Sequence, residues 1–197
     1  MERQNGSTRG GKVHVLDYTQ ANCVNHAASR LFYAISAAEN LLIFGGDVSI
    51  PFSEAPPPKQ GFYIQPDCAF HEWWRAKGHG TLDHDLVIPV MKAVQGHPES
   101  WRLCEKHCDK YIRSIGFTPT IHEPCLYVEE IDGDKWILKR QVDDFVIACK
   151  SAEIAHKFYD LIDDHLSMPI KRMGLVTLFN GIDVLQSQYY VKISCET

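Results

Sequence analysis

The sequence predicts an α+β fold with an antiparallel sheet, on three observations. Two apolar runs, Lys135-Trp136-Ile137-Leu138-Lys139-Arg140 and Val146-Ile147-Ala148-Cys149, flank Gln141-Val142-Asp143-Asp144-Phe145, giving strand, tight acidic turn and strand. Apolar residues recur at helical spacing over 22–39, 99–115 and 151–166. Asp132-Gly133, between 125–131 and 136–142, is a two-residue hairpin turn by composition. Strands that follow one another through tight turns pair antiparallel, and helices between such hairpins give the α+β class.

The chain of 197 residues is 45% apolar, enough for one ordinary core, so 1–197 is treated as a single unit. Charged residues make up 23% and the net charge is -5, so the surface as a whole does not attract polyanions and any nucleic-acid contact must be local. Seven cysteines without an apolar leader suggest reduced thiols in an intracellular protein. No apolar run reaches the roughly 18 residues of a membrane span. The start, Met1 through Gly11, is polar and glycine-rich and reads as frayed.

The first helix has Asn22 as its expected cap and Val24, Ala27, Ala28, Leu31, Ile35 and Ala38 on its packing face. Arg30 lies on its polar side, to reach a phosphate or to be solvated. Leu41-Leu42-Ile43-Phe44 is a buried strand running through Gly45-Gly46 into Asp47. Ser53-Glu54-Ala55-Pro56-Pro57-Pro58 is a loop, and Gly61-Phe62-Tyr63-Ile64 a strand. The aromatics from Phe70 to Trp74 form a minicore or stack on bases. Residues 86–94 are a kinked helix or an extended piece, because Pro89 interrupts them.

The helix over 99–115 packs Trp101, Cys104, Cys108, Tyr111, Ile112 and Ile115 and stops at Gly116. Its other face carries Arg102, Lys106, Lys110 and Arg113, diluted by Glu105 and Asp109. Cys104, His107, Cys108, His122 and Cys125 look zinc-like, but their spacing fits no standard finger and the cysteines of 104 and 108 fall on the apolar stripe. Ser151 caps the last helix, which faces Ile154, Phe158, Leu161 and Ile162 inward. Residues 178–184 and 189–194 form a closing hairpin.

Adjacent carboxylates repel, and an ionised one costs several kcal/mol to desolvate without a partner. An Asp143-Asp144 tip held between buried strands therefore needs a cation, whereas a merely solvated tip does not. Magnesium is the natural candidate, since it takes carboxylates together with substrate phosphates. If the Asp47 strand lies beside the acidic hairpin, three carboxylates converge, and such a set can hold two ions about 4 Å apart for in-line displacement at phosphorus.

Four motifs in this order resemble the reverse transcriptase of Ty1/copia-type LTR retrotransposons. They are Asp47-Val48-Ser49-Ile50-Pro51-Phe52, Gln95-Gly96-His97-Pro98-Glu99-Ser100-Trp101-Arg102-Leu103, Gln141-Val142-Asp143-Asp144-Phe145 and the hairpin at 178–184, with His122-Glu123-Pro124-Cys125-Leu126-Tyr127 between. The resemblance implies a reverse-transcriptase-like palm, an antiparallel sheet with helices packed on one face. Residues 41–52 and 96–197 would form the palm, and 1–40 and 53–95 part of the fingers, with neither thumb nor RNase H. It implies an RNA-directed DNA polymerase that uses two Mg2+ ions, or Mn2+, and takes template-primer and deoxynucleoside triphosphates, inside the cell in a cytoplasmic retrotransposon particle. The chain would be a piece of that element's polyprotein, or else an inactive remnant that acts as a binding domain.

By the same resemblance Asp47, Asp143 and Asp144 would be catalytic and bind the metals, helped by the Val48 carbonyl. Phe52, Gln95 and Gly96 would contact the nucleotide, and Gln141, Phe179, Asn180 and Gly181 the primer and template. Lys171 or Arg172 would be a proton donor or, more simply, exposed. Ile50-Pro51 departs from the family's Asn-Ala, and a proline there has no N–H to give a triphosphate.

Overall fold

The computed structural model describes residues 22–48, 51–142, 144–166, 170–187 and 189–195. The polar start of the chain lies outside them. Helix α1 (His26–Ala38) leads into β1 (Leu42–Val48), and a short 3-10 turn, Pro51–Ser53, follows. An insert carries β2 (Tyr63–Ile64), α2 (Cys68–Ala76) and β3 (Ile88–Pro89). Then come α3 (Ser100–Ser114), β4 (Thr118–Pro119), β5 (Leu126–Ile131), β6 (Asp134–Gln141), β7 (Asp144–Cys149) and α4 (Ala152–Leu166). The described chain closes with β8 (Ile170–Leu175), β9 (Leu178–Phe179), β10 (Ile182–Ser187) and β11 (Tyr190–Ser194). Among the described residues no helix is long and apolar enough to cross a membrane. None of the seven cysteines, all among the described residues, forms a disulfide.

The predicted class holds: the fold is α+β, and its main sheet is antiparallel with strand order β4-β5-β6-β7-β1-β8. Side chains alternate across the sheet, and both faces are covered. Trp136, Leu138, Phe145 and Ile147 join a core with Cys104, Cys108 and Ile112 of α3 and Ala155, Phe158 and Ile162 of α4. Their neighbours Ile137, Val146 and Ala148 join a second core with Phe32 and Tyr33 of α1 and Phe179 and Val184 of β9 and β10. Burial on both sides is why β6 and β7 read as continuous apolar runs. It also corrects one expectation: the helices are not confined to one face, because α1 and the three-stranded sheet β9-β10-β11 cover the other.

The Asp132-Gly133 turn is where the sequence placed it, with positive φ at both residues (56° and 80°), the backbone of a type I′ turn. Asn180 and Gly181 (50° and 75°) make a second such turn, which divides 178–184 into β9 and the start of β10. Gln186 ties the small sheet to the large one: its amide oxygen accepts from the Ile43 N–H at 2.8 Å and its nitrogen donates to the Ile43 and Val176 carbonyls, each at 2.9 Å.

Other elements differ from expectation. The cap of α1 is Asn25, not Asn22; the Asn25 side chain accepts from Ala28 N–H at 2.8 Å. The helix buries Ser29, Phe32, Tyr33 and Ser36, and leaves Leu31 exposed. Two adjacent aromatic rings bury more area than the aliphatic stripe can, and Ser36 goes inside because its hydroxyl donates to the Phe32 carbonyl at 2.7 Å. The aromatics of 70–74 lie on α2, capped by Asp67. Residues 86–94 are extended at Ile88–Pro89, which pairs with Tyr63–Ile64.

Gly46 sits where α4 comes closest to β1. A Cβ there would lie 2.6 Å from a ring carbon of the buried Tyr159 and 3.1 Å from Ile170. Gly46→Ala is therefore expected to destabilise the fold by roughly 1–3 kcal/mol through overpacking. Urea denaturation checks this against Gly61→Ala, where a Cβ would meet nothing within 4 Å; equal losses would contradict it.

Candidate functional site

Register places the acids. In the β1–β7 pairing Asp47 lies directly opposite Asp144, in β6–β7 Asp144 lies opposite Gln141, and in β1–β8 Asp47 lies opposite Lys171. Opposed residues share a face, so Gln141, Asp144, Asp47 and Lys171 form one row across four strands. Cα atoms in such pairs are roughly 4.5–5.5 Å apart, so the two carboxylates are immediate neighbours on that face. Both aspartates are half-buried. Parity puts the row on the same face as Ile43, Ile137 and Val146, the side covered by α1 and the small sheet.

Gln141 pairs with Asp144 where β6 meets β7, and Val142 follows Gln141 directly. Asp143 lies outside the described residues, as do Ser49 and Ile50. Val142 has φ 59°, a conformation that a β-branched residue adopts only under constraint. The strain, of order 1–3 kcal/mol, is the kind that persists at a site whose surroundings fix the turn. Among the described residues no three His, Cys, Asp or Glu side chains converge to hold a metal. The described donors, two carboxylates and the Val48 carbonyl at the end of β1, are the hard oxygen set that magnesium takes.

The remaining predicted residues fall in two groups. Gln141, Phe179, Asn180 and Gly181 come together on one cavity of about 450 Å3 between α1 and the small sheet. Phe52 is buried in the core, edge to face with Trp101 at 4.6 Å, so its ring packs against α3. Gln95 and Gly96 are exposed in the turn before α3, where Gly96 has φ 95° and His97 stacks on Phe62 at 4.8 Å. Lys171 and Arg172 are exposed, and Arg172 pairs with Asp160 and Asp163 of α4. The zinc-like set disperses: Cys104 and Cys108 are core residues, and Cys125 donates to the Asn22 carbonyl.

Sequence reading missed the two cations that end β6. Arg140 is buried toward α3, where its guanidinium pairs with Glu105 at 3.4 Å. Glu105 also accepts from the Asn22 N–H at 3.0 Å and the Asn22 side chain at 2.8 Å. Glu123 accepts from the Asn25 side chain at 2.7 Å, and Gln141 from the Val24 N–H at 3.2 Å, so residues 22–25 strap the strand just before the acidic turn. Lys139 points the other way and lines the cavity. Its ammonium donates to Ser29 Oγ at 3.1 Å and Tyr33 Oη at 3.2 Å. The available signal was two consecutive charges directly after Trp136-Ile137-Leu138, which are apolar on both faces of the strand.

A scan against protein-family models and a search of curated proteins return no match for the chain. The reading of the site therefore rests on its own residues.

Burial pushes the Lys139 ammonium down to about 8. A lysine in the unfolded chain titrates near 10.4, so between those values the unfolded chain holds the extra proton and stability rises with pH; below about 8 the penalty is fully present. Lys139→Met is expected to stabilise the fold by roughly 2–3 kcal/mol at pH 7 and to lose most of that gain by about pH 10.4. Urea denaturation in phosphate-free buffer at both pH values checks this, and an equal gain at both would contradict it.

Proposed function

We propose that this chain carries the catalytic palm of a copia-type reverse transcriptase, an RNA-directed DNA polymerase that transfers a deoxynucleotide to a primer 3′-hydroxyl. The observation that carries the reading is the opposition of Asp47 to Asp144 at the end of paired strands, beside the strained backbone of Val142. Like charges directly opposite one another are destabilising, and a divalent cation reverses the sign of that contact.

Asp47, Asp144 and Asp143 would hold the ions, with the Val48 carbonyl as a further donor. When bound, magnesium supplies acidification of the primer hydroxyl and neutralisation of the triphosphate and leaving pyrophosphate. The protein's own work is positioning. The β1–β7 register fixes the spacing of the acids, and the Asn180-Gly181 turn with Gln141 and Phe179 offers a surface for the primer end beside them. Lys171, opposite Asp47, brings a cation to the row where phosphate charge would accumulate. Phe52 would shape the sugar pocket from its seat against Trp101.

A second reading, a retroelement-derived domain that binds without catalysing, is favoured by Pro51. It stands in the 3-10 turn directly after the acid-bearing strand and offers no N–H. A charge-assisted bond to phosphate lost there is worth roughly 1.5–3 kcal/mol.

Primer extension with Mg2+, a primed template and the four nucleotides separates the two. The polymerase reading expects extension that falls on the order of 10²- to 10³-fold in Asp47→Asn and Asp143→Asn. No extension by the parent chain, even at low salt and high protein concentration, would leave the binding domain.

A further inference from the structure

A buried ammonium normally has a carboxylate beside it, because an uncompensated charge inside a protein costs several kcal/mol. Lys139 is only 2% exposed, and its partners are all neutral. Two are the hydroxyls of Ser29 and Tyr33. The others are three ring faces: Tyr33 at 4.4 Å, Phe179 at 4.5 Å and Phe32 at 5.0 Å from the nitrogen. These satisfy donors and polarise toward the cation, but none carries a charge to balance it.

The lysine lines the cavity of about 450 Å3, and a second basic side chain, Arg30, stands on the same wall. Arg30 and His26 stand there on the first turns of α1, whose N-terminal end adds positive potential, and no Asp or Glu is among the described residues lining the cavity. In a chain of net charge -5 this is a local reversal of sign. Hydroxyl and amide donors complete the wall, from Ser29, Asn180 and Gln141. A low-dielectric space with convergent donors and a surplus of positive charge is built for an anion.

We infer that the cavity between α1 and the β9-β10-β11 sheet is a phosphate-binding site that adjoins the acidic row at Gln141, in which Lys139 supplies the buried charge and Arg30 the charge at the rim. The ligand class is a phosphate group, either on a small free molecule or on the backbone of a nucleic-acid strand. A strand phosphate there would extend the primer surface of Gln141, Phe179, Asn180 and Gly181 and rests on that proposed function, whereas a small free phosphate does not.

The test is calorimetric titration of the full chain with sodium phosphate, with deoxyadenosine monophosphate and with a short single-stranded oligodeoxynucleotide. All runs contain EDTA, so that the acidic row holds no metal, and match ionic strength with sodium chloride. Saturable binding is expected, about tenfold or more weaker in Lys139→Met and in the exposed-site variant Arg30→Ala, and unchanged in Lys157→Ala, which removes an exposed cation from α4 on the other face of the sheet. Loss of free phosphate binding in Lys139→Met supports a small-molecule ligand. Binding by the oligonucleotide alone, with the same sensitivity to Lys139→Met, supports a strand phosphate. No saturable binding by any of the three, or binding that Lys139→Met leaves intact, overturns the site. Thermal denaturation of each variant confirms that the comparison is between folded chains.

Discussion

The antiparallel pairing of β1 with β7 is the constraint on which everything else depends. It runs from Leu42 opposite Cys149 to Asp47 opposite Asp144, through the most buried strands of the sheet. A slip by one residue would send every apolar side chain to the wrong face, so two cores hold the register against the repulsion at its end. Gly46 belongs to the same constraint. Its missing side chain lets Tyr159 sit directly against the strand, one position before the acid.

Around the open end of that pairing the structure gathers charge in layers. Behind β6, Arg140 is locked to Glu105 and the 22–25 strap; in front, Lys139 is caged by aromatic rings. Breaking the Arg140 pair would leave one charge buried alone, the costly outcome for such a pair. The acidic turn thus projects from a strand whose last residues are held from both faces, which is what lets Val142 keep an unfavourable backbone. Phosphoryl chemistry demands stiffness of this kind, because it gains mostly from position and charge.

Much of this was legible in the sequence where local chemistry decides the structure. Asp132-Gly133 fixes its turn because few residues accept positive φ, and Gly116, at φ 105°, ends α3 for the same reason. The convergence of Asp47 with Asp144 was legible because apolar strands that end in acids have few ways to pair. What was not legible depends on tertiary context. Lys139 and Arg140 carry charges that local reading assigns to solvent, and only the two-sided cover reveals them as buried. Strand β8 went unseen because Lys171, Arg172 and Met173 on an edge strand present neither alternation nor an apolar run. The face of α1 was misjudged because Phe32 and Tyr33 outweigh a regular aliphatic stripe.

The central claim is that Asp47 and Asp144 form one divalent-cation site, and metal binding itself tests it most directly. Titration of the metal-free chain with Mn2+, followed by the paramagnetic resonance of the free ion, should show saturable binding that weakens by about tenfold or more in either Asp47→Asn or Asp144→Asn. Asp47→Asn should also raise the thermal midpoint of the metal-free chain, because it removes one of two opposed acids. Unaltered Mn2+ affinity in both variants, or a lower midpoint without metal, would contradict the account.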